Sequence, residues 1–128
     1  KNGVFICIEP LDVSMTDFLT SINETGEFIQ NIGNQNLKLH IDTKSFLLSG
    51  ESIEDNIQKF NKLIKHIHIS DKNLKVLKND KHIHKEFAKS LKRINYSQYL
   101  SLEMRQEENN EINSIRNSLN FIKENYFN

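Results

Sequence analysis

Four short apolar runs, each too brief for a buried helix, constrain this chain more than any other feature. They are Val4-Phe5-Ile6-Cys7-Ile8, Leu37 to Asp42, Lys65 to Asp71 and Tyr99 to Glu103. Short β-branched or alternating runs of this kind read as strands. Helical spacing fills the intervals between them. Residues from about Thr16 to Ile32 place Phe18, Leu19, Ile22, Phe28, Ile29 and Ile32 on one broad face, with Ser14 as N-cap and Gly33 as stop. Gly26 inside this segment either weakens the helical reading or marks close packing. Leu37–Asp42 is followed by an expected loop through Gly50. Ser52-Ile53-Glu54-Asp55 then opens a helix carrying Ile53, Ile57, Phe60 and Ile64. A long polar loop precedes a helix from about His84 to Ile94. The tail from Glu107 to Tyr126 reads as helix, with Ile112, Ile115, Leu119 and Ile122 in register and an acidic first turn.

Strands alternating with helices predict an α/β fold with a parallel sheet and right-handed crossovers. The 128 residues suit a single domain. A closed eight-stranded α/β barrel takes about 200–250 residues. The chain is therefore half of such a barrel or a small open four-stranded sheet, and length does not choose between them.

Composition removes several functions. Seventeen basic residues balance seventeen acidic ones, so no excess positive charge is available to grip a phosphate backbone, and no nucleic-acid partner is expected. One cysteine, Cys7, excludes a disulfide framework and any thiolate zinc site within one chain, and it reads as core. No apolar run approaches the roughly 20 residues of a membrane span, and Val4 to Ile8 is too short for a signal peptide. A cytoplasmic protein without a membrane partner is the expectation.

The informative polar residues lie at the C-terminal tips of the strands: Glu9, Asp42, His68 and Glu103. Sites in parallel α/β folds are built along that edge. Any one acid there more often caps a helix or is simply solvated. Four ligand types at four strand ends form a stronger pattern, because burying an unpaired charge is costly. Carboxylates and imidazole without thiolate favour Mn2+, Mg2+, Co2+ or Zn2+. By period-two alternation His66 shares a face with His68, and His40 with Asp42, which suits supporting hydrogen bonds. Asp71 and Lys72 fall in an expected active-site loop. Asp80, His82 and His84 form a second polar cluster, which reads as a second metal or substrate contact or, more simply, as Asp80 or His84 beginning the next helix.

Taken in order, Ile8-Glu9-Pro10-Leu11, Leu39-His40-Ile41-Asp42-Thr43, His66-Ile67-His68-Ile69-Ser70-Asp71 and Ser101-Leu102-Glu103 resemble the xylose isomerase-like TIM-barrel superfamily. The resemblance is to its sugar-phosphate isomerase/epimerase branch. It covers essentially the whole chain and matches strands five to eight, so it implies the C-terminal half of a (β/α)8 TIM barrel: four parallel βα units in one domain, 1–128, without the N-terminal half. It further implies that Glu9, Asp42, His68 and Glu103 ligate one divalent metal, foremost Mn2+. Glu9 and Glu103 would form an acid/base pair acting alpha to a carbonyl, through an enediolate, on a sugar or sugar phosphate. His40, His66, Asp71, Lys72 and His82 would contact substrate or support the ligands. Ser45 stands where members often carry a histidine three residues beyond the strand-six aspartate, and Leu74 where ketose epimerases often carry an arginine. Two other readings are an endonuclease IV-like AP endonuclease, suggested by Asp80-Lys81-His82, and a non-catalytic domain that keeps the fold for binding or assembly. Unpaired edges of a half-barrel imply pairing with another copy or with the absent half.

Overall fold

The computed structural model describes residues 3–106 and 110–127. Four strands, β1 (Ile6–Ile8), β2 (Leu37–Asp42), β3 (Ile64–Ile69) and β4 (Leu100–Leu102), form one sheet in sequence order, every neighbouring pair parallel. Five helices connect and follow them: α1 (Ile22–Ile32), α2 (Thr43–Ser49), α3 (Ile53–Lys59), α4 (Lys81–Arg93) and α5 (Glu111–Tyr126).

The two faces of the sheet differ in chemistry because side chains alternate along a strand. Leu39, Ile41, Ile67 and Ile69 are fully buried beneath the helices, where they meet Ile22, Ile29, Ile57, Phe60 and Phe87. The intervening residues His40, Asp42, His66 and His68 share the opposite face. A register shift between Leu39 and His40 interrupts the otherwise even pairing of β2 with β3, so Leu39 pairs with Ile64 but His40 with His66. The strict alternation expected from Lys65 onward therefore carries one irregularity. It lets Ile64 and Ile67, three residues apart, both reach the buried side.

Several elements differ from the sequence reading. The first helix begins at Ile22, not near Thr16. Leu19 adopts φ 55°, which a helix cannot continue, and Ser21 caps instead: its Oγ accepts from Glu24 N–H at 3.1 Å. Glu51 reaches across to accept from Ile22 N–H and Asn23 N–H, each at 3.0 Å, which places a carboxylate at the positive end of α1. Gly33 ends the helix in the left-handed conformation, as expected. Gly26 is a close-packing glycine, since a Cβ there would lie 2.5 Å from the Phe60 ring. The segment expected as loop before Gly50 is α2. The β1 run is not buried throughout: Val4 and Ile6 are 65% and 66% exposed because no strand covers the outer edge of β1. In α5 the inward face is Ser114, Ser118, Phe121, Ile122 and Asn125, whereas Ile112, Ile115 and Leu119 are exposed. Of the expected acidic first turn, Glu107 and Glu108 lie outside the described residues, and Glu111 opens α5. No helix among the described residues is long and apolar enough to cross a membrane.

Candidate metal centre and active site

The parallel arrangement brings the strand tips together. Asp42 ends β2 directly opposite His68 on β3, while Glu9 follows β1 and Glu103 follows β4. Glu103 N–H donates to Ile69 C=O at 3.0 Å, which extends the β3–β4 ladder and fixes the glutamate's position. The ligand atoms of Glu9, Asp42, His68 and Glu103 all lie within 4.8 Å of one another.

Asp42 is the most constrained of the four. Its side chain is wholly buried, and Oδ1 accepts from Lys44 N–H at 3.0 Å, capping α2, and from the Ser70 hydroxyl. Thr43 and Ser70 clamp the two strand ends: Thr43 Oγ1 donates to Ser70 C=O and accepts from Ser70 N–H, both at 2.8 Å. These bonds leave Asp42 Oδ2 directed at the cluster. Burial pushes the Asp42 carboxyl up, but hydrogen bonds with Glu103, Lys44 and Ser70 outweigh it and hold the group below its usual value. Glu103 moves the other way: hydrogen bonding to the Asp42 carboxylate, then burial, raises it.

The residues fit a divalent cation. Asp42 Oδ2 and His68 Nδ1 are buried without a well-aligned hydrogen-bond partner, and three carboxylates and an imidazole make a suitable hard-to-borderline donor set. Asp42 Oδ2 does have a charged neighbour, the Lys44 ammonium at 2.8 Å. That lysine also lies 3.2 Å from Glu103 and 3.5 Å from Glu9. The sequence reading missed it, as it missed Thr43. The only signal was position, one and two residues past the Asp42 strand tip.

Behind the cluster, His40 and His66 stack edge-on with His68, with ring centres 4.2–4.8 Å apart. Burial, followed by the neighbouring imidazoles, lowers His40 to about 4, so its 3.4 Å approach to Glu9 is that of a neutral ring. Burial lowers His66 as well. The remaining candidates lie apart from both groupings. Asp71 accepts from Asn73 N–H at 2.9 Å and shapes its own loop. Lys72 is exposed. Asp80 precedes α4 in the left-handed conformation, and His82 is exposed on that helix's first turn. His84 is buried against Phe121, with its Nδ1 2.7 Å from the Tyr126 hydroxyl. Asp80 and His84 are therefore part of how α4 starts and packs, and none of the three is among the four converging strand-tip residues.

Residues 1–125 match the family profile described as xylose isomerase-like TIM barrel. The chain belongs to that family. A D-psicose 3-epimerase from Agrobacterium fabrum (strain C58 / ATCC 33970) is 27% identical over 95 residues, 74% of this chain and 33% of the relative. A D-allulose 3-epimerase structure from Methylomonas sp. in complex with D-allulose superimposes with a TM-score of 0.86 at 18% identity, covering 97% of this chain and 49% of that one. A D-psicose 3-epimerase structure obtained in the presence of D-fructose gives a TM-score of 0.82 at 22% identity, covering 98% and 50%. The chain thus spans a third of that curated relative and about half of these solved chains. Its fold is half of a xylose isomerase-like TIM barrel.

Proposed function

We propose that this chain is the C-terminal half of a metal-dependent isomerase or epimerase of a sugar or sugar phosphate. The observation that carries the proposal is the convergence of Glu9, Asp42, His68 and Glu103 from four separate strands. The names of the matched proteins, which are ketose epimerases, point to the same chemistry. We read the four residues as ligands of one divalent ion, Mn2+ in the first instance. When bound, such an ion supplies Lewis-acid polarisation of a carbonyl.

The protein's own groups do the rest. Glu9 and Glu103 reach the cluster from the two outer strands and so flank any substrate held over its centre. One removes the proton alpha to the carbonyl, and the other returns a proton to the resulting enediolate, inverting the carbon or moving the carbonyl. Asp42 is fixed by Ser70 and by its own helix cap, so its free oxygen needs no reorganisation. His40 and His66, as neutral rings behind the site, orient His68 and line the substrate side. Strands β1 and β4 each have one unpaired edge, and we assign these edges to pairing with a second copy of the chain.

The test is epimerisation of a panel of ketoses and their phosphates with added Mn2+, beside the Glu9→Gln and Glu103→Gln variants. Turnover lost in both variants supports the reading. A folded, Mn2+-loaded protein inert across the panel would leave a domain that binds or assembles without catalysis. Because Asp80 and His82 stand outside the cluster and Ser45 offers no imidazole, no observation favours an AP endonuclease.

A further inference from the structure

Lys44 stands among the residues of the candidate metal site. Its ammonium approaches oxygens of Asp42, Glu103 and Glu9 at 2.8, 3.2 and 3.5 Å, so it touches three of the four candidate ligands at once. Among the described residues, no other Lys or Arg forms an ion pair with any of them. The position is built rather than incidental. Lys44 lies in the first turn of α2, its backbone N–H is held by Asp42 Oδ1, and its side chain is only 21% exposed. The carboxylates it faces would otherwise repel one another.

We propose that Lys44 is a resident counter-ion of the strand-tip cluster, which a divalent metal must displace, so that this lysine sets the affinity of the metal site. The proposal rests on the metal-site reading given above. A divalent ion takes its bonds from the same oxygen lone pairs that now face the ammonium, and two cations cannot share them at contact distance. Metal entry therefore requires the Lys44 side chain to swing toward solvent. Loss of the metal lets it return and keep the carboxylates apart in a folded protein.

The experiment is Mn2+ titration by calorimetry of the unaltered chain, Lys44→Met and Lys44→Arg, with thermal melts of each with and without Mn2+. Lys44→Gln serves as a second neutral variant should the methionine not fold. The expected result is at least tenfold tighter Mn2+ binding in the neutral variants and no tightening in Lys44→Arg. The neutral variants should also melt lower without metal and rise further when Mn2+ is added. Equal or weaker Mn2+ binding in both neutral variants overturns the displacement role while leaving the metal site standing. Absence of Mn2+ binding in every folded variant, the unaltered chain included, overturns both.

Discussion

Asp42 divides its carboxylate between two tasks, one oxygen capping α2 and receiving Ser70, the other facing the cluster. Two predictions follow from that division. Asp42→Asn is expected to abolish Mn2+ binding measured by calorimetry, since it removes an anionic ligand of the proposed site. Ser70→Ala keeps every ligand but frees Asp42 to turn, and should weaken Mn2+ binding by about 10–100-fold with little change in circular dichroism. A third concerns His84, which lies outside the site. Burial lowers this ring to about 4, against about 6.5 for a free histidine. The unfolded chain therefore binds a proton that the folded chain refuses, so stability is lost as pH falls from 6.5 toward 4. The full effect amounts to about 3 kcal/mol in the ideal limit. In denaturant melts at pH 7 and pH 5, His84→Gln should show a smaller acid loss than the unaltered chain. Equal losses would show that the ring does not carry the effect.

At the scale of single elements, Gly26 joins α1 to α3. Alanine is worth about 1 kcal/mol over glycine in a helix interior, yet here its Cβ would meet the fully buried Phe60 ring. Overpacking prevails, and Gly26→Ala is expected to lower stability by about 1–2 kcal/mol in urea melts. Adding Phe60→Leu should recover part of the Gly26→Ala loss, a non-additivity that marks the contact. In the sequence the glycine reads either as a weak point of the helix or as a close approach, and the Phe60 ring decides for the second. Strand placement was legible too, since period-two alternation set polar tips against apolar bodies. What escaped was context. Phe18 and Leu19 fall at helical spacing and extend the apparent first helix, although the left-handed backbone at Leu19 ends that possibility. Helix α2 has only seven residues, too few to show a period. Ile112, Ile115 and Leu119 look like a core stripe, but the buried side of α5 is mostly Ser114, Ser118 and Asn125, which sequence reads as solvent-facing.

For the molecule as a whole, the exposed stripe on α5 and the exposed residues of β1 belong together. Val4, Phe5 and Ile6 at one edge, with Ile112, Ile115 and Leu119 near the other, leave apolar surface where a further strand or helix would cover it. The proposed self-pairing predicts concentration-dependent association in sedimentation experiments. Ile6→Lys with Ile115→Lys should leave a monomer whose stability changes by less than about 0.5 kcal/mol, because both sites are already solvent-exposed. A protein that sediments as a monomer at every concentration would remove this assembly. The convergence of Glu9, Asp42, His68 and Glu103 was legible from their places at the strand tips. Lys44 was not, since the segment after Asp42 reads as loop and a lysine there usually faces water.

The clamp between Thr43 and Ser70 also bears on the order in which the molecule comes apart. It ties the two central strands, which contribute Asp42 and His68, whereas Glu9 and Glu103 are carried by the two outer strands of three residues each. Peripheral fraying would strip the two glutamates from the cluster while the aspartate and histidine stayed locked in register. Amide exchange should accordingly be slowest through residues 39–42 and 67–70 and fastest in β1 and β4. The proposed acid/base pair would then be the most labile part of the site, and its most durable part would be the pair proposed only to hold the ion.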